Sequence, residues 1–205
     1  MMVSMKKVLI LFAHPRFENS LTNRALVAEV EAIAGVTLHD LYEAYPDFNV
    51  DVEREQALLA EHDVLVWHFP LYMYSAPALL KQWIDAVLEY GWAHGSQGNA
   101  LSGKTALVAL TAGGSRDVYT PAGHNRHSLG EFLTPFEQTA LLCKMRYLPP
   151  FAVHGTYLLT EDERSEYVAA YRRLLGLLTR DDQNFHGAEA YDYLNDWLDA
   201  GQDGV

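Results

Sequence analysis

The chain has 205 residues, 49% of them hydrophobic, one cysteine and a formal net charge of −12. That length and apolar share suit one α/β domain burying roughly 70% of its unfolded surface, and a single cysteine excludes an internal disulfide, so a reducing cytosol is the expected compartment. The acidity, with no long basic run, excludes nucleic acid as a main partner, and the apolar stretch from Val8 to Ala13 is too short to cross a bilayer.

Short aliphatic runs alternate with longer helical patterns, which predicts crossover units and a mainly parallel sheet. In chain order, strands are expected at residues 7–13, 36–40, 64–69, 105–111 and 147–154, with helices between them. Ser75-Ala76-Pro77 places a proline in a first helical turn, and Ser128-Leu129-Gly130-Glu131 and Thr160-Glu161-Asp162-Glu163 match the capping box. Right-handed crossovers between five parallel strands leave two common doubly wound orders, of which 2-1-3-4-5 suits five strands. Past Thr179 the chain turns polar, then becomes amphipathic over residues 188–198, with Tyr191, Leu194, Trp197 and Leu198 spaced for a terminal helix that docks on the body or on a second subunit. The expected division is a ligand-binding domain over residues 1–180 and an extension over 181–205 with one short helix, residues 201–205 being disordered.

Ligands of open α/β sheets bind beyond the carboxyl ends of the strands at the switch point, so the loops after the first, third and fourth strands carry the chemistry. The first, from His14 to Asn23, has no glycine-rich phosphate loop and no P-loop lysine, which argues against a dinucleotide fingerprint and a nucleotide triphosphatase. Ser20, Thr22 and Asn23, with the amides of a helix start, can instead surround a phosphate monoester, His14 adding a donor; the plainer reading makes Ser20 a helix cap. The second, Phe69-Pro70-Leu71-Tyr72-Met73-Tyr74-Ser75-Ala76-Pro77, holds flat side chains between two prolines and suits the face of a tricyclic ring, or else is an aromatic cluster closing the sheet end. In the third, Thr111-Ala112-Gly113-Gly114-Ser115, paired glycines allow close backbone approach, so its amides can donate to the pyrimidine edge of a flavin. Cys143 lies in an apolar stretch and reads as buried and inert; Trp83, Trp92 and Tyr90 read as either core or interface; His124-Asn125-Arg126-His127 and the scattered histidines offer no convincing metal-ligand set.

Ala13-His14-Pro15 with Asn19-Ser20, the run from Pro70 through Lys81-Gln82-Trp83-Ile84-Asp85, Gly91-Trp92-Ala93 and Thr111-Ala112-Gly113-Gly114 together resemble the flavodoxin-like NAD(P)H:quinone oxidoreductases, over residues 7 to about 178. The resemblance implies a flavodoxin-like three-layer sandwich and a flavin, FMN with FAD as the alternative. It also implies NAD(P)H as co-substrate, two-electron reduction of a quinone, and a homodimer with active sites at the subunit boundary. It assigns His14, Ser20, Leu21, Thr22 and Asn23 to the flavin phosphate and ribityl side, Leu71, Tyr72, Met73 and Tyr74 to the ring, and Thr111, Ala112, Gly113 and Gly114 to its polar edge. Tyr119 and His124 resemble the tyrosine and histidine that face the acceptor, as hydrogen-bond donor and proton donor, although their spacing is one residue shorter here. Within the family, Asp40-Leu41-Tyr42 with Tyr45-Pro46-Asp47-Phe48, and Leu148-Pro149-Pro150-Phe151, look most like the ancillary subunits of glutathione-gated potassium efflux antiporters, which dock on the antiporter's cytoplasmic domain. Quinone reduction in the cytoplasm is therefore the leading expectation. The alternative is a regulatory subunit, held at the inner face of the membrane by that partner, with reductase activity secondary. A one-electron carrier is the weaker third reading.

Overall fold

Alternation along the strands sorts their side chains onto two faces. Leu9, Leu11, Leu65, Trp67, Phe69, Ala106, Val108 and Leu110 enter one buried cluster, whereas Val8, Ile10, Phe12, Val64, Val66, Leu107 and Ala109 enter another on the opposite side. Both faces of the sheet are thus covered, as parallel strands require. The structure, a computed structural model, describes residues 5–28 and 30–201; residues 202–205 of the expected disordered end lie outside the described residues.

Strand β1 (Val8–Phe12) pairs in parallel with β2 (Val36–Asp40) and β3 (Val64–Pro70), and β3 pairs with β4 (Thr105–Thr111). The fifth position departs from expectation: a single strand over 147–154 was predicted, and two segments stand there, β5 (Arg146–Tyr147) and β6 (Phe151–Val153), each pairing in parallel with β4. Pro149 and Pro150 lie between them and have no amide proton to donate to a ladder. The order 2-1-3-4-5 holds, with β6 continuing the fifth position.

Helices α2 (Leu41–Ala44), α3 (Val52–Ala60), α4 (Ala78–Val87) and α5 (Leu129–Leu142) cover the face of Leu9 and Trp67, while α1 (Leu21–Val27), α6 (Glu161–Leu178) and α7 (Leu194–Asp199) cover the other. Both capping boxes form, at Ser128 with Glu131 and at Thr160 with Glu163. Pro77 sits one residue earlier than expected, at the N-cap of α4, where its carbonyl accepts from Leu80 at 3.0 Å. Cys143 is buried, and burial raises its thiol pKa.

Trp83 belongs to the core. Its Nε1–H donates to Glu55 Oε2 at 2.7 Å, and Glu55, fully buried, also accepts from His39 Nε2 at 2.9 Å and the Tyr45 hydroxyl at 2.5 Å. Burial alone would raise the Glu55 pKa, but the donors from His39, Tyr45 and Trp83 outweigh it and hold the carboxyl below its ordinary value. This three-donor carboxylate ties the ends of β2 and α2 to α3 and α4.

The terminal helix docks on the body of the chain. Leu194, Trp197 and Leu198 are buried in the same cluster as α6, and the side-chain amide of Asn195 pairs with Ala152 twice, Oδ1 accepting from its N–H at 2.9 Å and Nδ2 donating to its C=O at 3.2 Å. One side chain thereby satisfies both outward backbone groups of an edge-strand residue.

Candidate functional site

The carboxyl ends of β1, β3 and β4 open onto a cavity of about 630 Å³, within the size range of small-molecule sites. His14, Ser20, Leu21, Thr22 and Asn23 line it from the β1–α1 junction, Leu71 and Tyr72 from the loop after β3, and Thr111 and Gly113 from the end of β4. Three separate loops of the sequence therefore share one wall. Arg16 and Asn19, within the expected first loop though assigned no role there, line it too, as do Thr156, Tyr157, Leu159 and Arg164, which sequence reasoning missed. Arg164 stands in the first turn of α6, four residues past the Thr160 cap. A cation among the acids Glu161, Asp162 and Glu163 was the available signal.

The hydroxyls in this wall have their polarity set from behind. Asn23 Nδ2 donates to Ser20 Oγ and to Thr111 Oγ1, both at 3.0 Å, which leaves its Oδ1 to accept from His68 Nε2 at 3.1 Å. His68 Nδ1 then accepts from the Tyr171 hydroxyl at 3.0 Å. The tautomer follows from this network rather than from observed hydrogens, and it agrees with burial, which pushes the His68 pKa down to about 3 and keeps the ring neutral. Ser20 Oγ also accepts from the Asn23 backbone N–H at 3.2 Å, so its own proton, like that of Thr111, is left for the cavity. The side chain of Asn23 thus orients the donors instead of serving as one; both its amide protons are engaged. Ser20 caps α1, the plainer of its two sequence readings, and its hydroxyl proton stays available to a ligand.

His14 Nδ1 accepts from the Arg16 backbone N–H at 3.1 Å. Burial lowers its pKa, only partly offset by a backbone hydrogen bond and the charge of Glu18. A neutral His14 therefore carries its proton on Nε2, as a further donor.

The loop after β3 is a tight reversal. Tyr72 N–H donates to Ser75 C=O at 2.9 Å and Ser75 N–H returns to Tyr72 C=O at 3.0 Å, with Met73 at φ 47° and Tyr74 at φ 66°. Two consecutive left-handed residues are the geometry of a type I′ turn, which favours Asn and Gly. Here it is built from a methionine and a tyrosine, a strained choice. Met73 is 89% exposed, and neither it nor Tyr74 lines the cavity. Tyr74 packs on Phe132 of α5, ring centroids 5.0 Å apart, with its hydroxyl 3.4 Å from Asn125 Oδ1.

The remaining expected residues stand apart from the cavity wall. Ala112 is buried beneath it, its N–H bonded to Val153 C=O at 2.8 Å. Gly114 makes room within the protein: a Cβ there would come 2.8 Å from Val118 Cγ2 and 3.1 Å from the Tyr119 ring, whereas one on Gly113 would strike the ring of Tyr157. Tyr119 is 8% exposed, its ring centroid 6.4 Å from Phe132 and 5.8 Å from His154. Burial raises its pKa, partly countered by the Gly114 amide, so at neutral pH it is a protonated donor. His124 is exposed on the loop before α5.

The electrostatics of the cavity oppose those of the whole chain. The chain carries 27 acidic residues against 15 basic ones, yet among the described residues no Asp or Glu lines this wall and two arginines do. Arg164 Nη2 donates to Leu159 C=O at 3.3 Å, while its Nε is buried with no hydrogen-bond partner among the described residues. An orphaned buried donor, two cations, and hydroxyls with protons turned inward to the cavity fit an anion rich in acceptors, such as a phosphate monoester. Among the described residues, no group of three or more His, Cys, Asp or Glu is arranged to hold a metal ion.

Residues 6–175 match the sequence family described as flavodoxin-like fold. The glutathione-regulated potassium-efflux system ancillary protein KefG of Cronobacter sakazakii is 45% identical over 175 residues, which cover 85% of this chain and 95% of that protein. Among solved structures, general stress protein 14 of Treponema denticola, in complex with FMN, matches with a TM-score of 0.79 at 40% identity, covering 84% of this chain and 99% of that one. A protein of P. pentosaceus described as an NADPH-quinone reductase matches with a TM-score of 0.76 at 36% identity, covering 82% and 97%.

Proposed function

The chain belongs to the flavodoxin-like fold family, and on that premise we propose that it is a flavin-binding ancillary subunit of a glutathione-regulated potassium-efflux antiporter, with NAD(P)H:quinone oxidoreductase chemistry in the same pocket. The observation that carries it is a cavity at the switch point of an acidic chain that is lined by two arginines and, among the described residues, by no carboxylate. The likeness to KefG supports the ancillary role over free-standing quinone reduction, the reverse of the order expected from sequence. Likeness to an NADPH-quinone reductase and to an FMN complex supports the chemistry as the second role and FMN as the flavin.

The Ser20 hydroxyl, Thr22, His14 Nε2 and the guanidinium of Arg164 bind the flavin phosphate. Leu71 and Tyr72 hold the ring on one side, and Thr111 with Gly113 meets its polar edge. When bound, a flavin would supply two-electron redox chemistry between NAD(P)H and a quinone. Tyr119, kept protonated by burial, is the hydrogen-bond donor on the acceptor side, and His124 is the proton donor there. Leu21, Met73, Tyr157 and Leu158 are exposed at 68%, 89%, 86% and 88%. Apolar and aromatic side chains left bare at or beside the cavity suit burial against a second copy of the chain, as a homodimer.

No described helix is long and apolar enough to cross a membrane; the proposed attachment to the membrane is contact with the antiporter. The test is co-purification of the FMN-loaded chain with the antiporter's cytoplasmic domain, alongside assay of NADPH oxidation with a soluble benzoquinone. A stable complex with measurable turnover is expected. Turnover without association overturns the ancillary role and returns the chain to the reductases.

A further inference from the structure

The family match ends at residue 175, yet the chain beyond it reaches back to the loop that leaves β4. Asp196 takes both arms of the Arg116 guanidinium, Nη1 to Oδ1 at 2.7 Å and Nη2 to Oδ2 at 2.6 Å. Arg116 also lies over the Tyr193 ring, 4.5 Å from its centroid. Bidentate pairing and ring stacking fix a guanidinium in orientation as well as position. Meanwhile the neighbouring residue, Asn195, is clamped to Ala152 of β6, and Leu194 N–H donates to Pro150 C=O at 2.9 Å. Consecutive residues of the extension thus hold the edge strand on one side and Arg116 on the other.

Arg116 opens a short 3-10 turn, Arg116–Val118, that leads into Tyr119. Its carbonyl accepts from Tyr119 N–H at 3.2 Å, and Ser115 C=O accepts from Val118 N–H at 3.3 Å. The Tyr119 ring stands against Gly114 and His154, and His154 stands edge-on to Tyr193, centroids 5.1 Å apart. Gly114 C=O in turn accepts from Gly155 N–H at 2.9 Å. The segment 113–119 is therefore tied to the chain after β6 at Gly114 and to the extension at Arg116, with residues 115–117 exposed, and it carries Gly113 of the cavity wall.

We propose that the C-terminal extension is a brace for the flavin site: Asp196 and Tyr193 hold Arg116, and through it the segment 113–119, in the geometry that meets the polar edge of the ring. Asp196, Tyr193 and Arg116 are positioning residues. The brace rests on the flavin reading above.

The experiment compares wild type, Asp196→Ala, Arg116→Ala and the double variant by FMN titration and by amide hydrogen exchange of the FMN-free protein. Each single variant should bind FMN about three- to tenfold more weakly. Exchange should quicken across residues 113–120, while the amides of β4 and α7 keep wild-type protection, which a general loss of stability would not allow. The double variant should be no weaker than the singles, because both remove one interaction. Wild-type FMN affinity in Asp196→Ala overturns the brace alone, as does faster exchange spread evenly over the fold. A wild-type protein that binds no FMN overturns the flavin reading and the brace with it.

Discussion

At the scale of single residues, the site depends on which way hydroxyl protons point. Asn23, neutral and held by His68, leaves Ser20 and Thr111 with protons for a ligand. Replacing its NH2 with an oxygen reverses this: in Asn23→Asp both hydroxyls must donate inward to the carboxylate. FMN affinity should then fall by about 10- to 100-fold, the scale of one or two lost hydrogen bonds, with riboflavin, which lacks the phosphate and loses only the Thr111 donor, less affected. Equal losses for both ligands in a fluorescence titration would show that Asn23 only supports the fold. Met73 makes the opposite kind of prediction. Its left-handed backbone and exposed side chain suggest strain kept for contact with a ligand or partner. Met73→Asn should raise unfolding stability by about 0.5–1 kcal/mol in urea while weakening FMN binding or dimerisation; lower stability would remove the strain argument. Ser20 and Asn23 were legible as polar residues at a helix start. Their division into ligand donor and orienting residue was not, because His68 and Tyr171 lie 45 and 103 positions apart from the residues they bond, in Asn23 and His68 respectively.

At the scale of elements, local signals were the readable ones. The capping boxes at Ser128 and Thr160 formed as their spacing dictates, and Ser128→Ala or Thr160→Ala should each lower stability by about 1 kcal/mol in chemical denaturation. A change under about 0.3 kcal/mol would mean that tertiary packing alone holds these helix ends. Strands β2 and β4 fell on their expected residues, and for β4 the reason is that a buried parallel strand reads as a continuous aliphatic run. The fifth strand reads as unbroken in the sequence because its flanks are apolar on both sides of Pro149-Pro150, whereas the missing amide protons of that pair divide it in the fold. Arg164 escaped notice for a related reason: the crevice was drawn from the loops after three strands, whereas the loop after β6 and the first turn of α6 close it. The terminal helix was visible in its periodicity. Its choice between the body and a second subunit needed Asn195 on the edge of β6.

At the scale of the whole molecule, buried titratable groups give one sign of acid response. Burial lowers the pKa of His68 to about 3 and that of His154 to about 4, and lowers that of His14 as well. In the unfolded chain these histidines take up protons near pH 6.5, so the unfolded state binds protons first and stability falls as pH drops below that value. Glu55 acts in the same direction at lower pH: its donors hold it below the ordinary carboxylate range, so its contribution is present above about pH 4.3 and lost as pH falls through its folded value. Each fully shifted histidine contributes a slope of up to about 1.4 kcal/mol per pH unit. Urea midpoints should therefore decline steadily between pH 7 and pH 5, and a flat profile would show that these rings are solvated. Arg16 and Arg164, with no Asp or Glu among the described residues of the wall, make the cavity cationic on an acidic protein, which is the premise of flavin phosphate recognition. Titration of the purified, flavin-free chain with FMN and riboflavin, followed by quenching of flavin fluorescence, tests that premise most directly. FMN should bind at one per chain and at least about tenfold more tightly than riboflavin, and Arg164→Glu should erase the difference. A chain that leaves the fluorescence of both FMN and FAD unquenched would contradict the account.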